Sequence, residues 1–339
     1  LTGDAGTFGQ NADRGIRLAI ATARDSGYLE DSISYTSENS EGRASLAVSA
    51  GRKLLDASGA DVLIGDVTSA GTQALIPVID ERQVPLVSPA ASDPGLTGAS
   101  TYFARTWPSD VYEARVIASH ISAQNHQSLG VVYANTDYGV AMVEELRSHL
   151  SSELVGPRIG VDRGTSDYRP TIQRLSNAGV DAVFLVMYPE GGRRFLNQMA
   201  ELGVEVPIYA TATFESPEIA GASGANQIVF ASPSPPSGSK REWFVEAYRE
   251  RYGEAPGVLS DTGYDSAMLL IKAWAARGDR GPQGVVNWIR GREGYNGVSG
   301  ELTFTEGGNV RKPYGLKTVE DGEFVWQDRT VDVEAANGE

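Results

Sequence analysis

Short apolar runs alternate along the chain with longer stretches in which apolar residues return every three or four positions. Ala12, Ile16, Ala19, Ile20 and Ala23 recur at helical spacing, and Ile33-Ser34-Tyr35 then reads as a strand. The pattern predicts a helix over 41–57 ended by Gly59, a strand at Val62-Leu63-Ile64, a helix over 70–80 and a strand over 84–87. It continues with helices over 111–124, 138–150, 168–178 and 189–202, separated by strands over 129–133, 155–161, 182–186 and 207–210. Strands this short between helices of about a dozen residues imply βαβ units and mainly parallel sheets. The strands are apolar without alternation, as expected where helices cover both faces. The units are too many for one sheet, so two α/β lobes are expected.

The rhythm breaks at Ser232-Pro233-Ser234-Pro235-Pro236-Ser237-Gly238-Ser239, which reads as a linker or hinge crossing. Helices over 240–252, 261–276 and 284–290 follow, then strands over 298–304, 314–320 and 323–327 with turn sequences between them.

Length and charge bound the function. The chain has 339 residues, enough for about two domains, and 41% hydrophobic with 22% charged residues excludes wholesale disorder. A net charge of −15 is the wrong sign for gripping nucleic acid or an anionic membrane surface. The absence of cysteine excludes disulfides, zinc–thiolate sites, iron–sulfur clusters and a cysteine nucleophile. No apolar stretch approaches the ~20 residues of a membrane span. The three histidines, His120, His126 and His149, are scattered, and no GxSxG, Walker or GxGxxG pattern occurs. Neither an enzyme nor a bound metal or cofactor is expected.

Two polar junctions remain. Gly65-Asp66-Val67-Thr68-Ser69-Ala70-Gly71-Thr72 joins a strand to a helix and sets N–H groups and hydroxyls at a helix's positive end, where an anion binds well. Thr68 or Ser69 could equally be an ordinary N-cap. Val87-Ser88-Pro89-Ala90-Ala91-Ser92-Asp93-Pro94 follows the next strand. Polar turns after successive strands of an α/β sheet are where ligands bind.

On these residues the chain resembles the branched-chain amino-acid binding family of ABC-transporter solute receptors, with the type I periplasmic binding fold. The most specific segment is Val84-Pro85-Leu86-Val87-Ser88-Pro89-Ala90-Ala91-Ser92-Asp93-Pro94-Gly95-Leu96-Thr97. Leu1-Thr2-Gly3-Asp4-Ala5-Gly6-Thr7-Phe8-Gly9, the 65–72 turn, Asp137-Tyr138-Gly139, Ser166-Asp167-Tyr168, Gly263-Tyr264-Asp265-Ser266-Ala267 and Gly297-Val298-Ser299-Gly300-Glu301-Leu302-Thr303-Phe304 follow the family's order. The resemblance implies two Rossmann-like three-layer lobes, 1–108 with 236–312 and 109–235 with 313–339. It implies three hinge crossings, near 106–110, 232–238 and 311–314, and a ligand cleft between the lobes. It further implies an extracytoplasmic monomer, freed of its signal peptide or lipid-anchored, that delivers an amino acid or related carboxylate or amide to an ABC permease. A receptor domain or amide-responsive regulator of the same fold is the alternative. The family opens with a strand before the Leu1-Thr2-Gly3 loop, so a trimmed N-terminus is expected.

Carried over residue by residue, Ser69 matches the holder of the ligand carboxylate and Ala90 the carbonyl that accepts from its ammonium, with Ala91 beside it. Ser92 stands where the family has Thr. Tyr138 matches the aromatic of the second lobe that closes on the ligand, Tyr188 sits in a similar region, and Phe8 and Tyr264 match pocket-lining positions. One departure stands out. Where amino-acid binders carry an acid after the Ile208-Tyr209-Ala210 strand, this chain reads Thr211-Ala212-Thr213-Phe214-Glu215. Thr213 occupies that region, and Glu215 falls two or three positions late.

Overall fold

A strand whose two faces are both covered needs apolar residues at every position, and the sheet spanning the latter part of the chain shows why. The computed structural model describes residues 2–3, 5–27, 33–226, 228–234 and 238–331. The chain divides into two compact units, Leu1–Ser109 with Pro235–Lys312 and Asp110–Ser234 with Pro313–Glu339, and so passes between them three times.

The second unit is built on seven strands in the order Glu323–Val331, Tyr314–Glu320, Val229–Pro233, Ile208–Ala210, Ala182–Val186, Leu129–Ala134 and Val155–Val161. The last five run parallel, and the first two are antiparallel additions at one edge. Val131, Phe184, Val186 and Tyr209 pack with Ile117, Ile121, Met142 and Leu146 of helices Asp110–Ser122 and Asp137–Ser148. Val132, Val183, Leu185 and Ile208 pack on the opposite face with Ile172, Leu175, Phe195 and Met199 of helices Arg169–Asn177 and Pro189–Glu201. Adjacent residues of one strand thus enter different cores, which gives three layers and removes the alternation. Strand Leu129–Ala134 lies between its two parallel neighbours Val155–Val161 and Ala182–Val186, so the winding direction reverses there. Such a reversal opens a crevice at the strands' carboxyl ends.

The first unit has a parallel sheet of Leu63–Ile64, Leu86–Ser88 and Phe103–Arg105, and an antiparallel sheet of Val310–Arg311, Glu301–Phe304 and Tyr295–Asn296. Helix Gly6–Asp25 crosses helix Ser260–Ala276 at close range. A Cβ on Gly15 would lie 1.9 Å from the Ser260 carbonyl oxygen, and one on Gly263 2.5 Å from that of Ala12. The last residue of this unit, Lys312, is buried and donates to Ser299 Oγ at 2.7 Å, which donates to Asp265 Oδ2 at 2.6 Å. Asp265 also accepts the Val298 and Ser299 N–H groups at 2.9 Å. Burial lowers the Lys312 ammonium to about 8, against the opposing pull of Asp261 and Asp265.

Two expectations need correction, and one element was missed. Ile33-Ser34-Tyr35 forms no strand; Arg24 Nη2 donates to the Ile33 carbonyl at 2.5 Å and the Tyr35 hydroxyl to Asp13 at 2.7 Å, so side chains tie this segment to the first helix. Ser232 and Pro233 of the Pro/Ser stretch end a strand, paired with Gly315 and Tyr314. Proline is tolerated at the strand's final position, where the next ladder bond comes from the Ser234 N–H to Pro313 O at 2.9 Å. Strand Phe103–Arg105 was not anticipated. Residues 235–237 of the expected crossing, and Leu1 and Asp4 of the opening loop, lie outside the described residues.

Candidate functional site

The two polar turns of the first unit follow the adjacent parallel strands Leu63–Ile64 and Leu86–Ser88 and are stitched together. Ser88 Oγ donates to the Asp66 carbonyl at 2.8 Å and accepts from the Ala91 N–H at 2.9 Å. Thr68 is the N-cap of helix Ser69–Arg82, its hydroxyl accepting the Gly71 N–H at 3.2 Å. Its own N–H and hydroxyl donate to Asp66 Oδ1, both at 2.8 Å, and Ser40 donates to the other carboxylate oxygen. Asp66 is therefore fully committed.

Thr68 as the cap leaves Ser69 for other work. Ser69 is 3% exposed, and its hydroxyl accepts the Asp93 N–H at 3.3 Å, which leaves its hydrogen to donate. Among the described residues the Ser92 hydroxyl has no partner and the Ala90 carbonyl accepts no hydrogen bond. The Ser69 and Ala70 N–H groups, in the first helical turn, have no intrahelical acceptor. The first unit thus ties Ser69 to the 88–93 turn and leaves the Ser69 and Ser92 hydroxyls and the Ser69 and Ala70 N–H groups as donors, with the Ala90 carbonyl as an acceptor, while the Ala91 N–H is taken by Ser88.

Behind this loop lies Arg105, wholly buried. Its guanidinium donates to Asn309 Oδ1 at 3.0 Å, to the Ala91 and Asp93 carbonyls at 3.2 and 2.8 Å, and to Thr97 Oγ1 at 2.6 Å. It fixes the loop's shape and adds positive potential beneath it. Phe8 is buried in the first turns of helix Gly6–Asp25. The Thr2 N–H donates to Asn39 Oδ1 at 3.2 Å, so the segment before that helix is joined to the 39–42 loop that reaches Asp66. Tyr264 is placed elsewhere: it packs 5.5 Å from Phe244 and 6.0 Å from Trp243 in the helical core, and its hydroxyl bonds Thr22.

In the second unit, Tyr138 and Tyr188 follow the two strands that flank the winding reversal, and their ring centroids are 6.2 Å apart. The Arg163 guanidinium lies 5.8 Å from the Tyr188 ring. Beside them runs the 211–215 turn. Thr213 Oγ1 donates to the Met187 carbonyl at 2.7 Å, and the Thr211 hydroxyl is 2.8 Å from that of Thr213. Burial, with the negative charge of Glu113 and Asp110 nearby, pushes the Tyr138 hydroxyl well above its usual range, while its bond to Thr211 opposes this. Glu215 turns away from this group. It pairs with the buried Lys317 and accepts from Ser232 Oγ at 3.1 Å.

Two residues escaped the sequence reading. Arg105 sits in a three-residue strand with no periodicity to reveal it. Glu113 shares the start of a helix with Asp110, where acids are ordinary partners of the helix dipole, so nothing marked it. Among the described residues no group of three His, Asp or Glu could hold a metal ion, and no helix is long and apolar enough to cross a membrane.

A doubly wound α/β sheet with aromatic residues at its reversal, and a donor-rich turn pair in a separate α/β unit, define the type I ligand-binding fold. The family model described as periplasmic binding protein matches residues 1–323, and the chain belongs to that family. It is 24% identical over 322 residues to the Leu/Ile/Val-binding protein homolog 1 of Brucella abortus (strain 2308), covering 92% of this chain and 86% of the relative. The crystal structure of the leucine-binding protein LivK from Thermotoga maritima MSB8 superposes with a TM-score of 0.91 at 22% identity, covering 98% of this chain and 97% of that one. A solute-binding protein of an ABC transporter from Rhodopseudomonas palustris BisB5, in complex with 3,4-dihydroxybenzoic acid, gives 0.86 at 19% identity, covering 98% and 96%.

Proposed function

We propose that the chain is the extracytoplasmic solute-binding component of an ABC importer, and that it takes an amino acid or related small molecule by its carboxylate. The observation that carries this reading is the turn pair of the first unit. It offers the Ser69 and Ser92 hydroxyls and first-turn N–H groups beside residues that buried Arg105 holds, and the Asp66 carboxylate of the same turn is taken up by Thr68 and Ser40. The relatives' names agree on that group, since leucine and 3,4-dihydroxybenzoic acid share only a carboxylate. In the proposed cycle the second unit, led by Tyr138 and Tyr188, closes on the bound ligand, and a membrane permease receives it from this protein acting as a monomer. Ligand selects the closed state in proportion to the contacts made only there.

The test is a thermal-shift panel of amino acids and small organic acids. One class raises the melting temperature of the wild type, and the Ser69→Ala/Ser92→Ala double variant, folded normally, loses that rise. An undiminished rise in the double variant refutes the carboxylate site.

A further inference from the structure

The turn after strand Ile208–Ala210 lacks an acid, yet an acid from another element reaches it. Glu113, one turn into helix Asp110–Ser122, is 2% exposed and makes a single hydrogen bond, Oε1 accepting the Ala212 N–H at 2.7 Å. Its second oxygen receives no hydrogen bond, and no cationic side chain pairs with it, among the described residues. That arrangement is costly for the fold alone, because a glutamine would accept the same N–H without burying an ionisable group. Around it stand Tyr138, whose ring pairs with that of Tyr188, and Asp110 on its own helix. All sit at the carboxyl ends of the strands beside the winding reversal. A carboxyl group with tyrosine rings and threonine hydroxyls in its surroundings complements an ammonium. Glu215 is not available for this role, being held by Lys317 and Ser232.

We propose that Glu113 neutralises a cationic nitrogen of the ligand, replacing the acid that residues 211–214 do not provide. The proposal rests on the preceding reading that Ser69 and its neighbours hold the ligand's carboxylate, and it makes the ligand an amino acid rather than a simple acid. Burial and the Asp110 charge hold the Glu113 carboxyl well above the ordinary carboxylate range, against the Ala212 N–H. An arriving ammonium reverses that balance. Glu113 pairs with it as a carboxylate, with Asp110, Tyr138 and, beyond it, Tyr188 as the other titratable groups around it.

The experiment is titration calorimetry of the full chain with L-leucine and 4-methylpentanoate, which share carboxylate and side chain and differ by the ammonium. Wild type is expected to bind leucine at least about tenfold more tightly. Glu113→Gln, which keeps the acceptor for Ala212, is expected to lose at least about tenfold for leucine while holding 4-methylpentanoate within about twofold. Leucine affinity of the wild type rises as pH is raised through the range in which Glu113 ionises, and that of the variant does not. Ser69→Ala weakens both ligands. Leucine binding at wild-type affinity by a folded Glu113→Gln overturns the proposal. So does wild-type preference for 4-methylpentanoate, in which case its loss in Ser69→Ala leaves the carboxylate reading standing. Failure of both probes on the wild type overturns both.

Discussion

Arg105→Met tests whether the ligand turn is held from behind. The substitution keeps side-chain bulk and removes the guanidinium from a fully buried position. Of its four acceptors, two keep another donor. The Asp93 carbonyl still receives the Leu96 N–H at 3.1 Å, and Asn309 Oδ1 still receives the Val310 N–H at 2.9 Å. The Ala91 carbonyl and Thr97 Oγ1 lose the partner that Arg105 gave them. Thr97 is exposed and its hydroxyl can turn to water, so the orphaned buried group is the Ala91 carbonyl, and at about 1–3 kcal/mol for such a group the first unit should lose about 2 kcal/mol. Stability of about 5–15 kcal/mol leaves it folded. The units need not unfold together, so the reporter must belong to one of them. Four of the five tryptophans, at 107, 243, 274 and 288, lie in the first unit and Trp326 alone in the second. In a Trp326→Phe background, urea unfolding followed by fluorescence therefore reads the first unit. Arg105→Lys, with a point charge and no planar fork, should recover about half of the loss. A loss below about 1 kcal/mol in Arg105→Met would refute the anchoring role, because even one orphaned group should exceed it.

Two further expectations follow from buried lysines. Lys312 loses its proton near 8 when folded but at its ordinary 10.5 when unfolded, so across that window the unfolded chain binds more protons and stability rises with pH. The rise approaches about 3 kcal/mol, and Lys312→Met should remove it from the difference between urea curves taken at the two ends of the window; an equal rise in both proteins sinks this account. Glu215→Gln leaves Lys317, 9% exposed at its side chain, without its carboxylate, and should cost the second unit about 2 kcal/mol after discounting for partial exposure. Trp326 fluorescence should report that loss, since Lys317 lies 4.3 Å from its ring. Ligand affinity should not change, whereas loss of binding at unchanged stability would make Glu215 the ligand's acid instead.

Strand Ala182–Val186 matches its expected limits because a fully buried apolar run between polar turns has few other readings. Val155–Val161 and Tyr314–Glu320 match theirs although Arg158 and Lys317 interrupt them, because turn residues bound both. Phe103–Arg105 was hidden because a charged residue ends a three-residue strand, and only its distant acceptors explain it. The two turns carrying Ser69 and Ser92 could be located because the strands before them were legible. Glu113 was not, since its partner Ala212 lies 99 positions away and no local pattern links them.

The glycine crossing of helices Gly6–Asp25 and Ser260–Ala276 has a bearing on how the polypeptide acquires its structure. Asn11 donates to the Val258 carbonyl across 247 positions, and Arg105 reaches Asn309 across 204. A ribosome must therefore finish nearly the whole message before the opening helix can meet its mate. The second unit waits too, because strand Tyr314–Glu320 seats beside Val229–Pro233 from the far end of the chain. Contacts this remote in sequence slow folding. Delay of that kind keeps a nascent polypeptide loose enough to be threaded through a translocation channel before it sets.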